Sequence, residues 1–447
     1  MLVDLTIVYV TFGIISPFLS SYQSSTLHPG SMEGNLVILT FMFITIIVLL
    51  TCNLYMATEF IYLSDLIKKT IPGFFLTLFF METFFLFSNT FFLSNAHLIL
   101  CLTFTFTTIF VFRCIVFYCL PYNREKILIL GITSQASEII KECLNKKIVG
   151  FEVMGFATSI TSQVGQSIQD IPVLDTMDKL ESILSKHTID TIVVTLRNRR
   201  GKLPVHELLQ CKFKNIRILE GTQFYETAQR KLLIDDFFKP SWFIFENGFY
   251  RTSLHLAFKR IQGLIISFSL LIFLSPILFI TAVMIKIESS GPVFYFQERV
   301  GRNGKKFKLI KFRSMTVTAE KESGPIFALK HDTRITRIGH FIRKIRLDEI
   351  PQFINIFKGD MDLVGPRPER GVFVKELEKK LPYYHLRHAV RPGLTGWAQV
   401  NYPYGENFED SKEKLNYDLY YVKHLSWHLD LHILLMTIRE VLFGKGR

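Results

Sequence analysis

Cysteine is scarce in this chain of 447 residues and follows no pattern. Cys52, Cys101, Cys114, Cys119, Cys143 and Cys211 show neither paired spacing nor a C-x-x-C unit, so no disulfide framework and no zinc site is implied. The N-terminus has no basic region ahead of its first apolar run and no convincing small-residue cleavage site, so that run reads as a retained span. Acidic residues are in deficit, 39 against 52 Lys+Arg. The imbalance is uneven, because residues 286–447 carry 29 Lys+Arg and 19 Asp+Glu out of a net charge of +13. A nucleotide-binding glycine fingerprint is also missing. Gly131-Ile132-Thr133-Ser134-Gln135-Ala136 keeps only the first glycine of G-x-G-x-x-G, and without the second a backbone cannot approach a pyrophosphate closely.

What is abundant is apolar. Hydrophobic residues make up 49% of the chain, 43 of them Phe, and mean hydropathy is +0.27, above the range of most soluble proteins. A membrane protein follows, and its basic C-terminal region then suits phosphorylated substrates or anionic headgroups, not nucleic acid. Four stretches, roughly 5–21, 36–57, 71–94 and 97–120, are apolar enough to span, the first being short and carrying Pro17. Lys68 and Lys69 lie between the second and third, Arg124 and Lys126 follow the fourth, and the loops 22–35 and 95–96 hold no Lys or Arg. The positive-inside rule therefore puts both chain ends in the cytoplasm. Glu82 inside the third span is read as a buried pair or a boundary effect as readily as a functional group.

From Glu125 the texture becomes that of an α/β domain. Lys126–Gly131 is a short buried-strand run, a helical stretch covers Ser134–Leu144, and Thr188–Thr195 and Asn215–Leu219 are further strands. The alternation predicts a small parallel sheet with a structural or regulatory role.

A fifth apolar stretch, 261–285, is broken by Ser275-Pro276 and flanked by Lys259 and Arg260 before it and Lys286 after it. Pro276 has no N–H, so the carbonyl of Ile272 loses its helical partner, and Ser275 is placed to bond a freed carbonyl. Basic residues at both ends argue against a simple crossing.

Three charged motifs follow. Arg343-Lys344-Ile345-Arg346-Leu347-Asp348-Glu349-Ile350-Pro351 sets two adjacent carboxylates among arginines; Val364-Gly365-Pro366-Arg367-Pro368 and Arg391-Pro392-Gly393-Leu394-Thr395-Gly396 come after it. An Asp carboxylate can attack phosphorus when a metal ion and guanidinium groups draw charge off the phosphoryl oxygens. On a helix, neighbouring residues project about 100° apart, so Asp348 and Glu349 would divide the work instead of facing one another. His424, His428 and His432 recur at i, i+4, i+8 among Trp427, Leu429 and Leu431, which reads as an interfacial helix in preference to a metal site, and His385 and His388 are likewise not assigned a metal.

Together these motifs resemble the bacterial sugar transferase family, monotopic phosphoglycosyl transferases that move a sugar phosphate from a UDP-sugar to a polyprenyl phosphate. The resemblance runs from about Ile244 to the C-terminus. It implies that Asp348 is a nucleophile giving an aspartyl phosphosugar and UMP, with Glu349 helping to hold Mg²⁺ (or Mn²⁺) or to orient the site. It implies that Arg343, Arg367 and the pair Lys311 and Arg313 of Lys311-Phe312-Arg313-Ser314-Met315 meet phosphate oxygens. It places Pro366, Pro368, Arg391, Pro392, Gly393, Thr395 and Gln399 on the nucleotide side, and makes Ser275-Pro276 the break of a re-entrant helix.

The expected fold is a membrane protein with a helical N-terminal bundle over 1–121, a Rossmann-like, CoA-binding-like domain over 122–243, and a mainly α catalytic domain over 244–447 anchored by a re-entrant helix at 261–285. The resemblance extends to the long members of the family and, through Phe224-Tyr225-Glu226 and Pro240-Ser241-Trp242, to the exopolysaccharide subset. It implies a multi-pass protein of the bacterial inner membrane with its active site on the cytoplasmic face. UDP-sugar, polyprenyl phosphate and membrane lipid are the expected partners, and homo-oligomerisation is left open. Two other readings are weaker. A membrane-anchored nucleotide-sugar dehydratase needs an intact glycine fingerprint and a Tyr-x-x-x-Lys pair deep in the middle domain, whereas Tyr122 and Lys126 precede its first strand. A non-catalytic scaffold does not account for the complete motif set.

Overall fold

The computed structural model describes residues 3–11, 32–52, 54, 63–88, 95–119, 124–144, 150–196, 203–234, 248–249, 252–316, 334–403 and 407–443. The chain divides into two compact units, Met1–Leu219 and Glu220–Arg447. Pro17, Tyr122 and Pro240-Ser241-Trp242 lie outside the described residues.

In the first unit, helices α1 (residues 3–11), α2 (Met32–Thr51), α3 (Leu63–Ser88) and α4 (Asn95–Cys119) share a core of Phe41, Val48, Leu102, Phe106 and Ile109. Their outer faces are apolar too: Phe43, Ile71, Phe75 and Ile115 are exposed. Helices apolar all round suit a lipid surrounding. Hydroxyls inside them bond their own backbone, as Thr77 does to Gly73 O at 2.9 Å and Thr105 to Cys101 O at 2.8 Å. Arg113 pairs with Asp4 across the helices at 3.2 Å, an ion pair that the sequence reading did not single out. Among the described residues, Leu98–Val116 and Ser253–Phe273 are long and apolar enough to cross a membrane, and Val37–Thr51 is apolar but shorter.

Next comes a six-stranded sheet ordered β3-β4-β2-β1-β5-β6, formed by β1 (Glu125–Leu130), β2 (Phe151–Thr158), β3 (Ser167–Ile168), β4 (Ile171–Thr176), β5 (Thr191–Val194) and β6 (Arg217–Glu220). The pairs β1–β2, β1–β5 and β2–β4 are parallel, as the strand and helix alternation predicts. The strands β2, β3 and β4 went unrecognised in the sequence. Helices α5 (Ser134–Leu144), α6 (Leu180–Lys186) and α7 (Val205–Phe213) accompany the sheet. Gly131 turns the chain after β1 at φ 99°, where a side chain would meet Leu196.

The second unit opens with α8 (Gly221–Gln229), carrying the Phe224-Tyr225-Glu226 motif. Leu232 and Ile234 behind it pack with Val374, Leu381, Leu415 and Leu419. Two helices follow, α9 (Ser253–Phe273) and α10 (Ser275–Glu288), interrupted at Leu274. Ser275 Oγ donates to Ile272 O at 2.7 Å, the carbonyl that Pro276 leaves without its helical donor. Lys259, Gly263 and Ser267, spaced i, i+4, i+8, form the buried face of α9, while Phe258, Ile265, Phe268 and Ile272 are exposed. An exposed apolar patch of this extent marks a surface that meets lipid or protein. The remainder is a hairpin, β7 (Phe294–Val300) with β8 (Lys306–Phe312), then α11 (Arg337–Lys344), α12 (Gln352–Lys358), β9 (Asp362–Val364), α13 (Gly371–Lys380), β10 (Gly393–Thr395), α14 (Trp397–Asn401), α15 (Phe408–Lys423) and α16 (Trp427–Phe443). β9 and β10 pair in parallel. The core is Phe353, Ile356, Met361, Trp397, Tyr421 and Ile433.

Candidate active site

Asp348 and Glu349 sit on a single 3-10 turn, Leu347–Glu349, between α11 and α12. This corrects the expectation of an α-helical dyad: with three residues per turn, neighbours project about 120° apart. Arg346, just before the turn, has φ 57°, a left-handed conformation uncommon for a residue with a Cβ. Lys311 Nζ from β8 and Arg367 Nη2 from the loop after β9 both donate to Glu349 Oε1, at 2.8 and 2.7 Å. Arg343, in the last turn of α11, acts on Asp348 electrostatically. Three cations thus surround two carboxylates, and a phosphate entering the site meets a positive balance.

The electrostatics separate the two acids. Burial would raise Glu349, but the charges of Arg367 and Lys311 outweigh it and hold Glu349 well below the usual carboxylate range. Burial, followed by the charge of Glu349, pushes Asp348 above that range against the pull of Lys311, Arg343 and Arg367. Lys311 is lowered, chiefly by burial. Glu349 is therefore the counter-ion that holds Lys311 and Arg367.

Several side chains that position the site were not apparent in the sequence. Asn355 on α12 donates to Lys308 O at 2.8 Å and accepts from Ile310 N at 2.9 Å, fixing β8 and hence Lys311 against the turn. Glu288 at the end of α10 accepts from the amides of Arg337 and Ile338, capping the helix that carries Arg343. Arg260 donates to Ile356 O and Phe357 O at the end of α12. Lys259 is buried and bonds both oxygens of Asp430 and the hydroxyl of Tyr421, which also contacts Val364 O at 3.2 Å. The two basic residues read as a membrane flank are thus internal ties, Arg260 to α12 and Lys259 to α15 and α16.

The profile of the bacterial sugar transferase family matches residues 254–444, and that of a CoA-binding domain matches residues 53–217. The chain is 32% identical over 331 residues, 73% of its length, to the UDP-glucose:undecaprenyl-phosphate glucose-1-phosphate transferase of Klebsiella pneumoniae, covering 69% of that protein. It belongs to the bacterial sugar transferase family. It is also 39% identical over 239 residues, 54% of its length, to the UDP-N-acetylgalactosamine-undecaprenyl-phosphate N-acetylgalactosaminephosphotransferase of Aeromonas hydrophila, but spans only 55% of that relative. Across 202 residues, 43% of the chain, it is 40% identical to the exopolysaccharide production protein PSS of Rhizobium leguminosarum bv. phaseoli, matching all of that protein.

In this member of the family not every expected site residue reaches the dyad. Arg313 lies past the end of β8, where strand alternation no longer holds; its buried guanidinium donates to Ser289 O, Ser290 O and Ser289 Oγ, each at 2.8 Å, instead of sharing a face with Lys311. The residues expected on the nucleotide side mainly join β9 to β10. Arg391 is 3.5 Å from Asp362, Pro392 O accepts from Asp362 N, Gly393 N donates to Pro366 O, and Thr395 O accepts from Gly365 N. The Thr395 hydroxyl meets that of Thr437 at 2.6 Å, and Gln399 Nε2 donates to Leu394 O at 3.3 Å. Pro366 and Pro368 flank Arg367 and are buried. The histidine helix is corrected as well. His424 caps the end of α15 and bonds Glu226, whereas His428 and His432 lie on α16, so a break separates the first from the other two.

The turn has donor chemistry that fits Mg²⁺. Its two carboxylates are hard oxygen ligands, and this ion is commonly held by one or two carboxylates with waters and substrate phosphates. Among the described residues no group of three or more His, Cys, Asp or Glu is arranged to hold a metal, so Asp348 and Glu349 would hold the ion only together with substrate oxygens. Beside the turn, Pro351 and Ile354 line an apolar cavity of about 210 Å³ with Leu271, Leu278, Phe279, Ala282, Phe294 and Phe312. Phe312 adjoins Lys311 in β8, so one strand contributes to both the charged site and the cavity.

Proposed function

We propose that this chain transfers a sugar-1-phosphate from a UDP-sugar to polyprenyl phosphate, through an aspartyl phosphosugar on Asp348. The observation that carries the reading is the buried Asp348 beside Glu349, whose one oxygen holds both Lys311 and Arg367. An Asp348 oxygen attacks the β-phosphorus, the bond from that phosphorus to the bridging oxygen breaks, and UMP leaves with the bridging oxygen. An oxygen of polyprenyl phosphate then attacks the same phosphorus, the bond to Asp348 breaks, and the carboxylate is restored. Arg343 and Arg367 take charge that develops on the phosphoryl oxygens, and Glu349 keeps Lys311 and Arg367 in place. Mg²⁺ bound at Asp348 and Glu349 would supply charge neutralisation of the phosphoryl oxygens. The apolar cavity at the break between α9 and α10 suits the first units of an isoprenoid chain, since a cavity of about 150 Å³ already accepts a six-carbon ring.

The membrane reading belongs to the same proposal. Four N-terminal spans place both chain ends in the cytoplasm, the Ser275-Pro276 break returns α10 to the cytoplasmic face, and the active site meets cytosolic UDP-sugar there. The exopolysaccharide relative supports a first membrane step in polysaccharide assembly. Purified protein in lipid, incubated with undecaprenyl phosphate and a panel of UDP-sugars, is expected to release UMP with one or a few of them and to stop on exhaustive EDTA treatment. Absence of UMP release across the panel would reject the activity, and full turnover after chelation would reject the metal.

A further inference from the structure

The loop that carries Arg367 has three consecutive carbonyl oxygens, each held by a separate donor. Pro366 O accepts from Gly393 N at 3.0 Å, Arg367 O from Arg387 Nη2 at 3.0 Å, and Pro368 O from Arg299 Nη1 at 3.0 Å. The flanking prolines fix their own φ and have no N–H to offer, so this loop can be anchored largely through its carbonyls. Arg387 is the more enclosed of the two guanidinium donors. Its guanidinium is buried, and Nε and Nη2 donate to Asp418 Oδ2 at 3.1 and 2.7 Å. Nη1 donates to the Tyr384 hydroxyl at 2.6 Å, and the cation lies over the Tyr384 ring. The planar fork is thus immobilised on one side by α15 and on the other presents a single N–H to the Arg367 backbone.

We propose that Arg387 is a positioning residue of the transfer reaction. By holding the Arg367 carbonyl it sets the point from which the Arg367 guanidinium reaches Glu349 and the substrate phosphates. Arg387 itself touches neither Asp348 nor Glu349. A guanidinium stabilises developing phosphoryl charge only when its origin is fixed, because a misplacement of about 1 Å can lower a rate about a hundredfold. Arg299, less buried and also bonded to Gln297, performs the same task one residue further on.

The proposal rests on the transferase reading, and the test has an arm that does not. In that arm, hydrogen exchange is followed over residues 361–371 in the unmodified protein and in Arg387→Gln. Faster exchange confined to this segment is expected, and unchanged exchange there would overturn the proposal whether or not the protein turns over. In the activity arm, single-turnover UMP release is measured without acceptor in four proteins: unmodified, Arg387→Gln, Arg367→Ala and the double variant. Arg387→Gln should slow release about ten- to a hundredfold, the usual effect of losing a supporting partner behind a site residue. Its KM for the UDP-sugar should change by less than about threefold. In the Arg367→Ala background the same substitution should change the rate by less than about twofold, since its effect passes through a side chain no longer present. An equal loss in both backgrounds would mark Arg387 as general support for the fold and sink the proposal. If Arg387→Gln does not fold, the same cycle and exchange measurement with Arg387→Lys, which keeps the charge facing Asp418 but loses the planar fork, decide it by the same criteria. No UMP release from the unmodified protein would instead reject the transferase reading and leave the exchange arm to judge the positioning.

Discussion

Replacing Asp348 by Asn keeps the size of the side chain and removes the charge that attacks phosphorus in the proposed reaction. Because burial and Glu349 already disfavour the ionised form, the amide should fold at least as well as the acid. The expected outcome is no UMP release and no lipid product, with an unchanged melting midpoint; near-normal release would end the nucleophile assignment. Arg367→Ala removes one preorganised charge donor and should lower transition-state stabilisation by about 2 to 4 kcal/mol, read from kcat/KM. A third prediction at this scale concerns stability. His388, packed at 6.0 Å on Tyr384, is lowered to about 3 by burial, then by Arg387 and His385. The folded state therefore binds its proton less readily than the unfolded chain, whose imidazole titrates near 6.5. The neutral ring contributes full stability above about pH 6.5, and that contribution declines as pH falls from there towards 3. Melting midpoints of His388→Gln should fall less steeply between pH 6.5 and 4 than those of the unmodified protein; parallel curves would contradict this. The dyad, Arg367 and Lys311 were legible because they stand in contiguous motifs whose chemistry is specific. Arg387, Asn355 and Lys259 were not. Their partners lie far away in the chain, and a buried, paired charge has the same letter as a solvated one.

The elements show where periodicity suffices and where it does not. Ser275-Pro276 announced its break, and the structure supplies the expected bond from Ser275 to Ile272 O, because the cause lies within four residues. The histidines of 424–432 satisfied a helical spacing, yet α15 ends at Lys423 and α16 begins at Trp427, so periodicity alone joined two helices. The short helix α8 is a third case. Nothing in Phe224-Tyr225-Glu226 says that Glu226 neutralises Lys423, whose side chain is 1% exposed and whose Nζ lies 2.9 Å from Glu226 Oε2. Lys231 pairs with Glu413, and Trp397 donates to Arg230 O, tying the same segment to α14 and α15. Glu226→Ala leaves a buried ammonium without its counter-ion, which should destabilise the second unit by about 3 to 5 kcal/mol. Lys423→Met placed in that variant should restore much of the loss by removing the uncompensated charge. Melting of the full chain in lipid reads both. A midpoint unmoved by Glu226→Ala would show that the pair contributes nothing to holding α8 in place.

For the whole molecule, topology decides whether the chemistry can occur. If α9 crossed the bilayer completely, residues before Ser253 and the Asp348 turn would lie on opposite sides, and only one of them could meet cytosolic nucleotide. Leu274 breaks the helix with φ −86° and ψ −2°, while Phe268, Ile272, Ile277 and Phe279 around the break are exposed and apolar. Lys259 and Arg260 at one end and Lys286 and Glu288 at the other are bonded within the second unit, so both ends of the broken helix are anchored in one unit. A single hydrophobic crossing of about 25 residues would separate those ends by about 30 Å or more. In a cysteine-free background, single cysteines at Leu254 and Ile287, both highly exposed, should therefore resist an impermeant thiol reagent in intact cells and label once the membrane is opened. Ala-Ala in place of Ser275-Pro276 restores helical hydrogen bonding through the segment, so part of the population should thread across, label at position 287 from outside and lose UMP release in proportion. Outside labelling at position 287 in the unmodified sequence would overturn the proposed re-entrant arrangement, and with it the proposed access of Asp348 to cytosolic UDP-sugar.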